Sequence, residues 1–214
     1  MTLVAVSAGR TDTARRMKPA DTRNAGESDE SLMLAYAGGA AAAFAHLYAR
    51  HKGPTYRYFL RHTSDRSAAE ELHQDVWLKV VAARERYVAE ARFTTWLYTL
   101  ARHRLVDHWR ARRGARFTSL DDEGDDAADE RAGGDPHAER ADPFDLVIDA
   151  QSGLRLQAAL ASLPAAQRDA FLLHVEAGLA LGEIATLAGV PAETIKSRLR
   201  YAYRRLRTAL EDLQ

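Results

Sequence analysis

The sequence predicts an all-α protein: two small helical domains joined by a flexible acidic linker, with a helix-turn-helix in the C-terminal domain. Three observations carry this. Apolar residues recur at helical spacing through two long stretches, without the alternating Val/Ile/Thr runs of strands. Between the stretches lies a segment rich in Asp, Glu, Gly and Pro, with few apolar residues. Near the C-terminus, a short helical pattern stops at Gly189 and a longer one begins at Pro191.

The 214 residues suffice for one large domain or two small ones, each able to bury a core. Residues are 46% hydrophobic and 28% charged, an ordinary soluble composition with zero net charge. That zero hides a segregation. From Arg92 to Arg116 seven arginines face the single acid Asp107; from Ser119 to Asp149 twelve acids face two arginines; from Pro191 to Arg207 six bases face Glu193. Two basic segments therefore flank an acidic one. The sequence has no cysteine, which excludes disulfides, thiolate metal sites and cysteine nucleophiles. No apolar run is long enough to span a bilayer, and Met1 to Ser7 lacks the basic start and apolar length of a signal peptide, so a cytoplasmic protein is expected.

Residues 1–28 mix small, polar and charged types without periodicity and are expected to be a disordered tail with no assigned function. The first domain is placed at 29–114, with helices over 29–37, ended by Gly38-Gly39; 40–62, bent or broken at Gly53-Pro54; 68–83; and 94–113, stopped by Gly114. Ser67 with Glu70 reads as a capping box opening the third helix. Residues 115–150 form the acidic linker, and 151–214 the second domain, with helices near 151–162, 165–177, 181–187 and 192–210.

The last two helices and the turn at Gly189, where a left-handed backbone is cheap only for glycine, have the form of a helix-turn-helix. On the final helix Ile195, Leu199, Ala202, Leu206 and Leu210 make one stripe for the core. At 100° per residue, the opposite face presents Glu193, Thr194, Ser197, Arg200, Tyr201 and Arg204, with Lys196 and Arg198 on its flanks. Such a face fits the major groove, where long basic side chains reach guanine edges and phosphates. The plainer reading is a solvated basic face on a bundle helix; the turn and the preceding helix favour DNA.

In the first domain, the third helix is acidic and polar along one side, with Leu72, Val76, Trp77 and Val80 on or near the other. Spacing alone reads it as an amphipathic bundle helix. The fourth combines aromatic residues with arginines, a pairing that suits unpaired nucleic acid, because bases stack on rings and guanidinium planes while arginines follow the backbone. Phe93, Trp96, Leu97 and Leu100 fall at helical spacing and are read as core.

Ala159-Leu160, Leu163-Pro164, Gln167-Arg168, Glu183-Ile184-Ala185, Gly189-Val190-Pro191 and the run Thr194 to Leu199 resemble the C-terminal promoter-binding domain of extracytoplasmic-function (ECF) sigma factors of bacterial RNA polymerase, in the sigma-70 superfamily. The resemblance covers roughly 29–114 and 150–212. It implies a transcription initiation factor, not an enzyme, without metal or cofactor, whose partners are core RNA polymerase (beta-prime and beta subunits), promoter DNA and an anti-sigma factor. It assigns Glu70, Glu71, Gln74, Asp75 and Leu78 to a coiled coil on the largest polymerase subunit, an acidic surface around an apolar anchor. Minus-10 contact and strand melting fall to Arg92, Trp96, Arg102, His103, Arg104, Asp107 and Arg110, with the loop from Ala83 to Ala91 receiving a flipped base. Minus-35 recognition falls to Thr194, Lys196, Ser197, Arg198, Arg200, Tyr201 and Arg204. His103 stands where the family commonly has asparagine, and Tyr201 and Tyr203 where it often has arginine.

Two other readings compete. A helix-turn-helix repressor would explain the C-terminal half equally well, but not the basic, aromatic helix of the other domain. Glu70 and His73 have the E-x-x-H spacing of a helical metalloenzyme, yet the sequence has no second such pair and none of the commoner catalytic motifs.

Overall fold

The structure is a computed structural model and describes residues 26–113 and 150–211. Among these there are eight α-helices, one short 3-10 turn and no strand. The helices are α1 (Asp29–Ala37), α2 (Ala41–Thr63), α3 (Arg66–Ala83), α4 (Phe93–Arg113), α5 (Ala150–Ala161), α6 (Ala165–Val175), α7 (Leu181–Ala188) and α8 (Ala192–Glu211); the 3-10 turn, Arg84–Arg86, follows α3. The expected acidic linker and nearly all of the expected tail lie outside the described residues.

Helices α1 to α4 enclose one core. Leu32 and Met33 of α1, Leu47 and Phe59 of α2, Leu72, Val76 and Val80 of α3, and Phe93, Leu97 and Leu105 of α4 are all buried. Trp77 lies edge-on to Phe44 and Tyr48, at 5.8 and 4.9 Å between ring centroids, the favoured arrangement of aromatic quadrupoles. Glu30 ties the ends of the bundle together, because its Oε1 accepts the Phe93 backbone N–H at 2.7 Å, one of the donors left open where α4 begins. That bond holds the Glu30 carboxyl below the usual range, and negative charge there suits the positive end of the helix dipole.

Two local expectations change. The capping box at Ser67 is not formed: Asp65 is the N-cap, with extended backbone, and its Oδ1 accepts from the N–H groups of Ser67 and Ala68 at 2.9 and 3.3 Å. A carboxylate two residues upstream is the stronger acceptor, so α3 starts earlier and Ser67 sits inside its first turn. Helix α2 also continues through Gly53-Pro54 without a break. Proline removes one backbone donor, but buried Leu47, Tyr58 and Phe59 anchor α2 on both sides of the proline.

In the second half, Leu156 and Leu160 of α5, Phe171, Leu172 and Leu173 of α6, Ile184 of α7, and Ile195, Leu199, Ala202 and Leu206 of α8 are buried. Gly189 links α7 to α8 with φ +73°, the left-handed backbone the turn requires. The predicted stripe on α8 is thus the core face, with Leu210 half-buried at its end. The two halves touch: α2 packs on α5 and α6, and α4 on α7.

Candidate nucleic-acid interface

Helix α8 projects its basic side chains away from its buried stripe. Lys196, Arg200 and Arg204 are exposed, and Thr194, Ser197 and Tyr201 are half-buried. The guanidinium groups of Arg200 and Arg204 lie over the Tyr201 ring, 5.0 and 5.2 Å from its centroid, so the tyrosine braces two charges on one face. Arg198 does not join that face. It is 5% exposed, because it follows Ile195 by three residues and precedes Ala202 by four, which turns it toward the core stripe.

Helix α4 is arranged differently. His103, Asp107 and Arg110 are exposed. Trp96 is half-buried against Tyr87 and Phe93, at 5.1 and 5.7 Å between centroids, while Phe93 and Leu97 are core and Leu100 packs against it. The loop before α4 keeps Tyr87 buried and Val88 exposed. Arg104 turns to α3, donating to Asp75 at 2.7 Å and Glu71 at 3.3 Å. Glu70, Glu71, Gln74 and Leu78 are exposed on that helix and Asp75 is half-buried; Leu78, 58% exposed, is the apolar side chain among them. The Glu70 and His73 pair builds no metal site: His73 Nε2 accepts the Trp77 indole N–H at 3.0 Å, and among the described residues no group of three His, Cys, Asp or Glu side chains could hold an ion.

The remaining candidates face the second domain. Arg102 Nε donates to Asp169 Oδ2 at 2.9 Å, with the two side chains 12% and 4% exposed. The other carboxylate oxygen accepts the Tyr58 hydroxyl at 2.9 Å, and His62 Nε2 stands 3.4 Å from it. Burial pushes the Asp169 carboxyl up, but the His62 ring and the Arg102 guanidinium outweigh that and bring it down to about 2, so it is ionised at neutral pH. Burial likewise holds the His62 imidazole below its usual range and pushes the Tyr58 phenol well up. To one side, Glu176 accepts from Arg57 Nε at 2.8 Å and from Arg61. To the other, Glu183 accepts from the Thr95 hydroxyl at 2.7 Å and meets Arg92 at 3.4 Å, while also capping α7 through the Ala180 N–H at 2.8 Å. Burial pushes Glu183 up, yet the Thr95 hydroxyl, that N–H and Arg92 hold it below the usual carboxylate range. Sequence reasoning missed Asp169 and Glu176, and it named Glu183 only among the residues that carry the family resemblance, without its contacts to Thr95 and Arg92. The three acids recur every seven residues, but Glu176 and Glu183 lie beyond the end of α6, so the period does not mark one helical face.

The sigma-70 region 2 family profile matches residues 47–115, and the sigma-70 region 4 profile matches 153–206. The ECF RNA polymerase sigma factor SigL of Mycobacterium tuberculosis is 34% identical over 185 residues, covering 84% of this chain and 98% of that protein. RpoE of Cereibacter sphaeroides, another ECF RNA polymerase sigma factor, is 34% identical over 168 residues, covering 78% of this chain and 85% of its own length. Two solved structures share the fold: CnrH in complex with the cytosolic domain of CnrY (TM-score 0.61, 19% identity, 87% of this chain and 99% of that one), and the sigma factor RpoE of Bartonella quintana in complex with the anti-sigma factor NepR (TM-score 0.58, 24% identity, 78% and 96%). With both sigma-70 profiles matched and full-length relatives above 30% identity, the chain belongs to the ECF sigma factors, which join RNA polymerase and initiate transcription at promoters.

Proposed function

We propose a division of labour among three surfaces of this sigma factor. The domain over 29–114 binds core polymerase through Glu70, Glu71, Gln74, Asp75 and Leu78, an acidic rim around an apolar anchor. Arg92, just before α4, and Trp96, Arg102, His103, Arg104, Asp107 and Arg110 on it meet the minus-10 strand, and the loop from Ala83 to Ala91 takes a flipped base. The domain over 151–214 reads the minus-35 element with α8 through Thr194, Lys196, Ser197, Arg200, Tyr201 and Arg204; Arg198 supports the helix from inside. Joining two weak DNA-binding modules raises their combined affinity by effective concentration. The protein works in the cytoplasm, catalyses no reaction itself, and is held in check by an anti-sigma factor, a partner of the class that the Bartonella protein carries in its complex.

The observation that carries this reading is α8: an apolar stripe fixed in the core, with Lys196, Arg200 and Arg204 standing clear of it after a tight turn. Run-off transcription with purified core polymerase across a genomic promoter library tests it. The expected outcome is a specific set of transcripts that appears only when the chain is added; no such set would refute the reading.

A further inference from the structure

We infer that Tyr201 acts on minus-35 recognition through its neighbours: it is a positioning residue, whose uncharged ring holds the Arg200 and Arg204 guanidinium groups ready for DNA. The inference deepens the assignment of α8 to that element and rests on it.

Lys196, Arg200 and Arg204 recur every fourth residue and so form one row of like charge along α8. Neighbours in such a row repel, and long basic side chains in water keep most of their rotamer freedom. The row is nevertheless held at each position. Lys196 meets Glu193 at 3.7 Å, an acid in the first turn of α8, where the helix dipole favours negative charge. From Ser197 to Ala209 the sequence has no acid, and Tyr201 takes that place. The guanidinium groups of Arg200 and Arg204 lie 5.0 and 5.2 Å from its ring centroid, and Arg200 Nη2 donates to its hydroxyl at 3.3 Å.

A ring suits this task better than a carboxylate would. An acid at position 201 would hold both arginines, but it would also cancel part of their charge and repel the phosphates that the helix must approach. The negative face of an aromatic ring attracts a guanidinium and adds no net charge. A guanidinium stacks through its flat face, which leaves N–H groups in its plane to donate to a base edge or to phosphate oxygens. Tyr201 is half-buried beside Ala202 of the core stripe, whereas the two arginines are exposed, so the ring is the steadier partner. Two arginines held before DNA arrives need less ordering when it does, and the helix binds more tightly for it.

The test uses the full chain, free and joined to purified core polymerase. In the free protein, nuclear magnetic resonance should show the Arg200 and Arg204 side-chain protons over the ring shifted upfield by its ring current. Tyr201→Leu should abolish those shifts and Tyr201→Phe keep them. With core polymerase and a labelled duplex promoter recovered from the run-off library, Tyr201→Leu should weaken binding by about two- to tenfold for each arginine left to be ordered on binding. Tyr201→Phe, which keeps the ring, should restore most of that loss. In a chain that also carries Arg200→Ala and Arg204→Ala, Tyr201→Leu should have no further effect, whereas a role in packing α8 alone would cost the same in either background. Should Tyr201→Leu lose helicity by circular dichroism, Tyr201→Met, unbranched and ringless, is read the same way. Unshifted arginine protons in the unaltered protein, unchanged or tighter binding by Tyr201→Leu, or an equal loss in both backgrounds would overturn the brace. Arg200→Ala and Arg204→Ala alone test the assignment of α8. If neither lowers promoter binding, that assignment fails and the brace with it; if they lower it and Tyr201→Leu does not, the brace fails alone.

Discussion

Helices α4 and α8 carry the same sequence signal, arginines interleaved with aromatic residues, and the structure gives those arginines different neighbours. On α8, Arg200 and Arg204 stand exposed on a Tyr201 brace, opposite a four-residue apolar stripe that decides which way the helix faces. On α4, Arg104 is bridged to Asp75 and Glu71 of the neighbouring helix, and half-buried Arg102 is paired with Asp169 of the other domain. The described contacts of Arg200 and Arg204 are thus to an aromatic ring, and those of Arg102 and Arg104 to carboxylates. The amphipathic stripe sets orientation, but the neighbours set availability.

The largest test of the contrast removes one side of it. Leu199→Asp places a charge in the core beneath α8 and should unfold the C-terminal domain, a loss of more than about 4 kcal/mol by the usual scale for such changes. Thermal melts followed by circular dichroism should then show one transition fewer or a smaller one, from the first domain alone. An intact second domain would mean that the stripe does not hold α8.

Asp75→Lys sharpens the comparison from the α4 side. It reverses one charge of the proposed polymerase surface and also releases Arg104, so association with core should weaken by about tenfold while the fold persists. Co-purification and sedimentation measure it. Unchanged association would remove this face of α3 from the polymerase contact.

A smaller effect should appear with acid. His62 is buried among Asp169, Arg168, Arg102 and Tyr58, and burial holds its pKa below the usual value. The stability this gives is fully present above about pH 6.5 and is lost as pH falls below it, because only the unfolded chain then takes up the proton. Asp169 is also depressed, to about 2, so its contribution is lost only lower, as pH drops from about 4 toward that value. The Tm should therefore decline between about pH 7 and 5.5, and His62→Gln should flatten that decline. An identical slope in the variant would show that His62 titrates alike in both states.

The sequence carried the helix-turn-helix because its signals are local: a stripe at 3.6-residue spacing, a glycine where φ must be positive, and a proline at a helix start. It carried the buried side of α3 for the same reason. It misplaced the start of α3, since Ser67 and Glu70 satisfied a capping pattern while Asp65, the stronger acceptor, lay outside the window. Arg198 was misread as a flank of the reading face because charge outweighed its angular position beside Ile195 and Ala202. The seam was illegible in principle. Tyr58 and Asp169 stand 111 residues apart, and no local pattern in either helix announces the other.

The central claim is that α8 reads sequence while the α4 surface contacts a separate downstream element, and one measurement addresses it most directly. Transcription with core polymerase is run from promoters mutated one base pair at a time through both elements, using the unaltered protein, Arg200→Ala and Arg204→Ala. The account predicts that Arg200→Ala relaxes the preference at a single upstream base pair, at a cost of about 1–3 kcal/mol there, and leaves the downstream profile unchanged. Arg204→Ala should lower every promoter alike and flatten the salt dependence. If Arg200→Ala instead lowers all promoters by one common factor, or shifts preference downstream, then α8 does not read the upstream element through this face and the account is contradicted.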